Sequence, residues 1–141
     1  MNVSPPMPID INEQMSLALF LHAANNIADF DEEREVSAPS INLVEELLRS
    51  PDASFATYAR DDALNSMGIS EGDLLLVDKK LKPSHSDVVI FSHEGELRCR
   101  ILDMKNSQLH ADDEDQAPID LNDQVGLVIE GVVIQAVRRF R

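Results

Sequence analysis

The 141-residue chain has no tryptophan, one tyrosine and five phenylalanines, so aromatic residues are only 4% of it. Apolar residues still reach 43%, which is enough for a core, and that core has to be aliphatic. A single cysteine, Cys99, excludes an intrachain disulfide and any cysteine-based zinc site. The residues around it alternate as in a strand, which makes Cys99 a buried, inert thiol. Cations are scarce: 12 Lys and Arg stand against 26 Asp and Glu, a net charge of −14. That balance argues against direct nucleic-acid binding, because such affinity rests on cationic side chains neutralising phosphates. It argues equally against an anionic membrane surface. A protein partner with a basic face fits the charge, and so does solubility alone. Long hydrophobic runs are also missing. The longest near the N-terminus, Leu17 to Leu21, is too short for a signal peptide or a membrane span, so a cytoplasmic protein is expected. His22, His85, His93 and His110 show no metal-ligand spacing and read as surface or turn residues. Neither a metal nor a cofactor is expected.

What is present divides the chain near residue 40. Residues 1–40 read as an N-terminal arm. Ser4 to Pro8 (SPPMP) is extended and starts a helix poorly. Glu13 to Ala24 can form a short helix with Met15, Leu19 and His22 near one face. Asp29 to Glu35 (DFDEERE) is an acidic linker with Phe30 as an anchor. Residues 41–141 form the globular unit. Asn42 with Glu45 resembles a capping box for a short helix whose apolar face is Leu43, Leu47 and Leu48, and Pro51 stops it. Beyond it the pattern is β: Phe55–Ala59, Asp73–Asp78, Asp87–Ser92, Glu96–Met104, Gln108–Ala111 and Leu127–Val137. Gly131, inside the last and longest strand, marks a bulge or a close backbone approach. Lys79, Lys80 and Lys82 form a solvated basic turn, and Asp112 to Asp115 a solvated acidic loop lacking the pattern of a calcium site. Arg138 to Arg141 (RRFR) is the one basic patch, either a partner contact or a polar chain end. The architecture expected is mostly β and barrel-like, with one or two short helices and an extended arm.

The segment Gly68 to Asp78, GISEGDLLLVD, resembles the core motif of the UmuD/LexA family of self-cleaving Ser–Lys peptidases. Other matching features follow in order: the helix ending at Pro51, Asp87-Val88-Val89-Ile90, Gly95-Glu96, Pro118-Ile119 and Gly131-Val132-Val133-Ile134. Each is weak alone, and their order and spacing carry the resemblance, which runs from about Ile41 to Arg141 and implies the mostly-β peptidase core. The likeness is better to UmuD than to LexA, because no helix-turn-helix domain is seen ahead of it.

In that family a serine in a Ser-Met pair attacks a peptide bond of the protein's own arm, and a lysine held neutral by burial takes the proton. Aligned without a gap, Ala63 stands at the serine position and Arg100 at the lysine position. Alanine has no nucleophilic atom, and a guanidinium is not deprotonated in proteins. Ser66-Met67 is a genuine Ser-Met pair, making Ser66 an alternative nucleophile, but only if residues are gained before it and lost after it. Its plainer reading is a loop serine. The corresponding scissile bond falls near Ile27-Ala28, in an arm without glycine, whereas relatives cleave before glycine.

The resemblance therefore implies an inactive, UmuD-like protein of the SOS response to DNA damage that acts by binding. It implies a homodimer paired partly through the long C-terminal strand, with Val128, Ile129, Val132, Val133 and Ile134 as interface candidates, on the premise that this strand is an apolar edge. A heterodimer with an active UmuD is also implied. So are contacts with a UmuC-type Y-family polymerase, the RecA filament and the sliding clamp, in regulation of translesion synthesis. Two alternatives stay open: a residual autopeptidase using Ser66, and a LexA-related co-repressor whose partner supplies the DNA contacts.

Overall fold

A computed structural model describes residues 1–10 and 40–141. The expected Glu13–Ala24 helix, the acidic linker with Phe30, and the Ile27-Ala28 bond lie outside the described residues. Short strands dominate: β1 (Met7–Pro8), β2 (Ser54–Tyr58), β3 (Leu74–Asp78), β4 (Val88–His93), β5 (Glu96–Asp103), β6 (Gln108–His110), β7 (Ile119–Asp120) and β8 (Val128–Val137). One five-residue helix, α1 (Leu43–Leu47), precedes all of these but β1, and single 3-10 turns cover Pro51–Ala53 and Asn65–Met67. Each of the six strands expected from the sequence forms, with its ends within one residue of expectation. Strands β1 and β7 are additional.

Asn42 caps α1 as expected, its Oδ1 accepting from the Val44 and Glu45 amides at 3.0 and 3.3 Å. Its apolar face is only partly used. Leu48 is buried, whereas Ile41, Leu43 and Val44 are exposed.

The strands form one antiparallel sheet in the order β1-β2-β3-β8-β4-β5-β6-β7. The sheet does not close, which corrects the barrel-like expectation: β1 and β7 end the order and do not pair with each other. Residues at the start of the chain cross between strands instead, through isolated bridges from Asn2 to Arg98 and from Val3 to Ala59.

Alternation sends successive side chains to opposite faces. Phe55, Leu75, Val77, Ile90 and Cys99 enter one apolar cluster, while Val89, Phe91, Leu102, Leu109 and Val132 enter another. A third, smaller one joins Leu48, Ala56 and Leu76. Strand β3 is buried on both faces, which is why its sequence is a continuous run, Leu-Leu-Leu-Val, without polar alternation. Glu94 and Gly95, at φ 53° and 79°, make the two-residue turn that joins β4 to β5.

Strand β8 organises the sheet. Its first half, Val128–Val132, pairs with β4, and its second half, Val132–Val137, pairs with β3. Register shifts at Ile90/Phe91 and at Leu76/Val77 flank the crossing point, so the strand bends there. The edge-strand premise is thereby corrected: β8 lies inside the sheet. Each half nevertheless has one partner strand among the described residues, which leaves one side of each half open. The bend requires Gly131. A Cβ built there would meet Val77 Cγ1 at 2.6 Å and the Asp78 carbonyl oxygen at 2.8 Å. Gly131→Ala is expected to destabilise the fold by about 1–3 kcal/mol through overpacking. The measurement is a urea midpoint, which should fall at unchanged slope; an unchanged midpoint would remove close approach as the reason for glycine.

Candidate functional site

Between β2 and β3 the chain turns through Ala59 to Asp73, and the GISEGD motif shapes that turn. Gly68 (φ 77°) ends the Asn65–Met67 turn in the left-handed region, its amide donating to the Asn65 carbonyl at 2.9 Å. Gly72 (φ 90°) donates to the Ala59 carbonyl at 2.8 Å, and the Ala59 amide donates to the Asp73 carbonyl at 2.9 Å. Both glycines occupy backbone conformations that a side chain would strain. Asp73, almost fully buried, accepts from the Ser70 amide at 2.9 Å. It also pairs with Arg138, just beyond β8, whose Nε reaches Oδ1 and whose Nη2 reaches Oδ2, both at 2.8 Å. Arg138 Nη2 further donates to the Gly68 carbonyl and to Ser70 Oγ, at 3.0 and 2.9 Å. The motif is thus clamped from the far end of the chain. The Arg138 hydrogen bonds are the main cause holding the Asp73 carboxyl below its ordinary pKa.

Ala63 sits on this turn and is buried. Its amide donates to Asp61 Oδ1 at 2.9 Å and its carbonyl accepts from the Asp112 amide at 2.7 Å. Arg100 lies on β5 opposite Val89, also buried. Its Nη1 donates to the Ala117 carbonyl at 2.6 Å and to the Leu109 carbonyl at 3.4 Å, while its Nε has no partner. Burial first, and the Arg98 charge second, lower the Arg100 pKa, yet a guanidinium remains a cation. Cys99 is fully buried beside it, its thiol pushed up to about 12 chiefly by burial.

The residue that connects these positions is one the sequence pattern assigned to an arm. Met1 is buried in the same apolar cluster as Ala59, Ala63, Leu64 and Cys99. Its amino group donates to Gln116 Oε1 at 2.8 Å. Burial lowers that amine's pKa, with the Asp61 carboxylate opposing. Nothing in the sequence reading of the arm, which rested on Ser4 to Pro8, singled out Met1.

Beside Ala63 opens an acidic cleft of about 560 Å³, lined by Asp61, Asp62, Asn65, Asp112, Asp113 and Gln116. Ser66 is exposed nearby, and its Oγ donates to Asp112 Oδ1 at 2.7 Å while its amide donates to Asp112 Oδ2 at 2.8 Å. Its hydroxyl therefore faces a carboxylate. Lys80 is bound to Asp52 at 3.2 Å in the turn after β3, and Lys79 lies over the Phe55 ring. His85 and His110 stand 3.8 and 3.0 Å from the Asp103 carboxylate. Among the described residues no group of three His, Cys, Asp or Glu side chains is placed to hold a metal ion. No helix among them is long and apolar enough to cross a membrane.

The interface candidates on β8 separate by burial. Val132 belongs to the core, Ile129, Val133 and Ile134 are half-buried, and Val128 is exposed.

The sequence profile of the Peptidase S24-like family matches residues 20–134. Over 92 residues the chain is 37% identical to the LexA repressor of Shewanella woodyi, covering 62% of this chain and 44% of that one. It is 34% identical to the LexA repressor of Pasteurella multocida over the same length and coverage. With the protein SamA of Salmonella typhimurium it shares 36% identity over 78 residues, 55% of this chain and 51% of that one. The chain thus spans about half the length of the curated relatives it matches.

The Asp73–Arg138 clamp generates a pH prediction. Because the folded-state pKa of Asp73 is depressed, its contribution is complete above the unfolded value of about 3.9. It is lost as pH falls through the folded value. Arg138→Ala should lower the urea midpoint at pH 7, and the gap from the native chain should narrow as pH falls below the unfolded value of about 3.9. A gap independent of pH would show that Arg138 acts by packing alone.

Proposed function

The chain belongs to the Peptidase S24-like family, and we propose that it is a member that has lost self-cleavage and works by binding. The observation that carries this reading is the state of the two dyad positions. Ala63 offers no atom for attack, and Arg100 is buried with its guanidinium committed to the Leu109 and Ala117 carbonyls. The reading extends to a UmuD-like role in the SOS response, regulating translesion synthesis beside a UmuC-type polymerase. Likeness to the LexA repressors and to SamA supports the SOS context. The same likeness supports self-association, and the open sides of the two β8 halves supply backbone groups for a second copy.

Purified protein incubated with activated RecA filaments, or at alkaline pH, should stay intact. Ala63→Ser/Arg100→Lys combined with Ala28→Gly should restore a cut in the arm at residues 27–28, seen by mass spectrometry. Cleavage of the native chain that disappears in Ser66→Ala would overturn the inert reading and favour the autopeptidase. Co-purification with a repressor rather than a polymerase would favour the co-repressor alternative.

Sedimentation equilibrium tests the assembly. A dimer is expected, and Val128→Lys, at a side chain 53% exposed, should shift it toward monomer without unfolding the sheet. A native chain that is monomeric at micromolar concentration would remove the β8 pairing.

A further inference from the structure

The basic tail after β8 is only partly used by the fold. Arg138 is bound to Asp73, Gly68 and Ser70 in the motif turn. Arg139, Phe140 and Arg141 lie exposed beyond it, Phe140 at 96%, whereas Phe55 and Phe91 are buried. A bare aromatic ring between two arginines has the composition of an interface anchor. On a chain with a net charge of −14 it is also the segment drawn to the rest of another copy.

At the far end of β3 the molecule has a cavity that matches this tail. About 880 Å³ opens between the β1–β2 edge and the β4–β5 hairpin, within the size range of ligand pockets. Met7, Pro8, Pro51, Phe55 and Leu97 give it apolar walls. Asp52, Glu96 and Glu130 bring carboxylates to it against one cation, Lys79. Asp52 pairs with Lys80 and Glu96 with Arg98, both on the exposed rim. Half-buried Glu130 accepts from Ser92 Oγ at 2.9 Å and pairs with no cation among the described residues. None of Ala59, Arg60, Ala63, Cys99 and Arg100 lines this cavity.

A tail cannot enter the cavity of its own chain. Arg138 is fixed to Asp73, and Lys79 lies six positions further along β3, about 20 Å away at the rise of a strand. Phe140, two residues past Arg138, extends only about 7 Å.

We propose that the cavity receives the Arg139-Phe140-Arg141 tail of a second copy. The Phe140 ring enters between the prolines, Phe55 and Leu97, and the flanking guanidiniums meet Glu96 and Glu130. Each copy carries one tail and one cavity, so two copies that exchange tails leave neither unfilled. The contact goes beyond the non-cleaving reading and is separate from pairing through β8.

The test uses the full chain. With Phe140→p-benzoylphenylalanine, irradiating a mixture of isotope-labelled and unlabelled protein should give cross-links between labelled and unlabelled chains, at residues 51–55 or 92–97. By sedimentation equilibrium, Phe140→Ala, at an exposed position that leaves the core intact, should weaken self-association at least about tenfold. Glu96→Lys/Glu130→Lys and Arg139→Glu/Arg141→Glu should each associate poorly alone, and their mixture should recover the native mass. Cross-links confined to β8, or a Phe140→Ala chain that associates as the native one does, would overturn the tail contact and leave β8 pairing standing. A charge-swapped mixture no better associated than its components would also overturn it. A monomeric native chain without intermolecular cross-links would remove both contacts.

Discussion

The sheet depends on one close approach, that of β8 to the end of β3 at Gly131. Where a Cβ would stand, Val77 and the Asp78 carbonyl already lie within 3 Å. This contact lets β8 bend, so that one half pairs with β4 and the other with β3. Without it, the β2–β3 pair and the β4–β5 hairpin would have no common strand, and their apolar faces would lack a shared core. The turn that holds Ala63 hangs from the start of β3, and Arg100 lies on β5. The spacing of the two positions is therefore set through β8.

The sequence told most where structure is local. Strands β2 to β6 and β8 were visible because β-branched and aliphatic runs end at turn residues, and turns form at Glu94-Gly95 and Gly68. Gly131 was legible because a glycine that weakens a long β-branched strand marks a bulge or a close backbone approach. What escaped was set by distance along the chain. Asp73 and Arg138 are 65 residues apart, and nothing near either residue announces the pair. Arg138 read as part of a basic tail, while it is the cation that holds the motif turn. Met1 to Ser4 escaped for the same reason, since their partners are Tyr58 to Arg60 and Arg98–Cys99. Closure of the sheet was likewise not decidable from strand count, because it depends on whether the first and last strands meet.

At the site itself, residue identity was legible and environment was not. Arg100 could be read as unable to act as a base; its burial and its carbonyl partners could not be foreseen. A buried cation needs partners that match its shape and charge, and a guanidinium tolerates partial dehydration better than an ammonium. The carbonyls of Leu109 and Ala117 serve that need, so Arg100 ties β5 to the segment after β6. A lysine there would have a single nitrogen to divide between the two carbonyls, and could lose its proton in compensation for burial. Arginine keeps its charge and holds the loop. In this chain Arg100 is a structural joint between β5 and that segment.

On the proposed non-cleaving reading, GISEGDLLLVD persists beside Ala63 because its bonds hold the fold. The motif's strongest bonds run from Asp73 to Arg138 and from Gly72 and Asp73 to Ala59, and none passes through the dyad positions. An alanine at residue 63 removes a hydroxyl and leaves that network whole. Because residue 63 is itself buried and packs in the cluster that includes Met1, a small apolar side chain fits there without an unpaired polar atom. Selection for the fold alone would then keep the glycines and Asp73 while leaving residue 63 free to change. The motif is for that reason a sound marker of architecture.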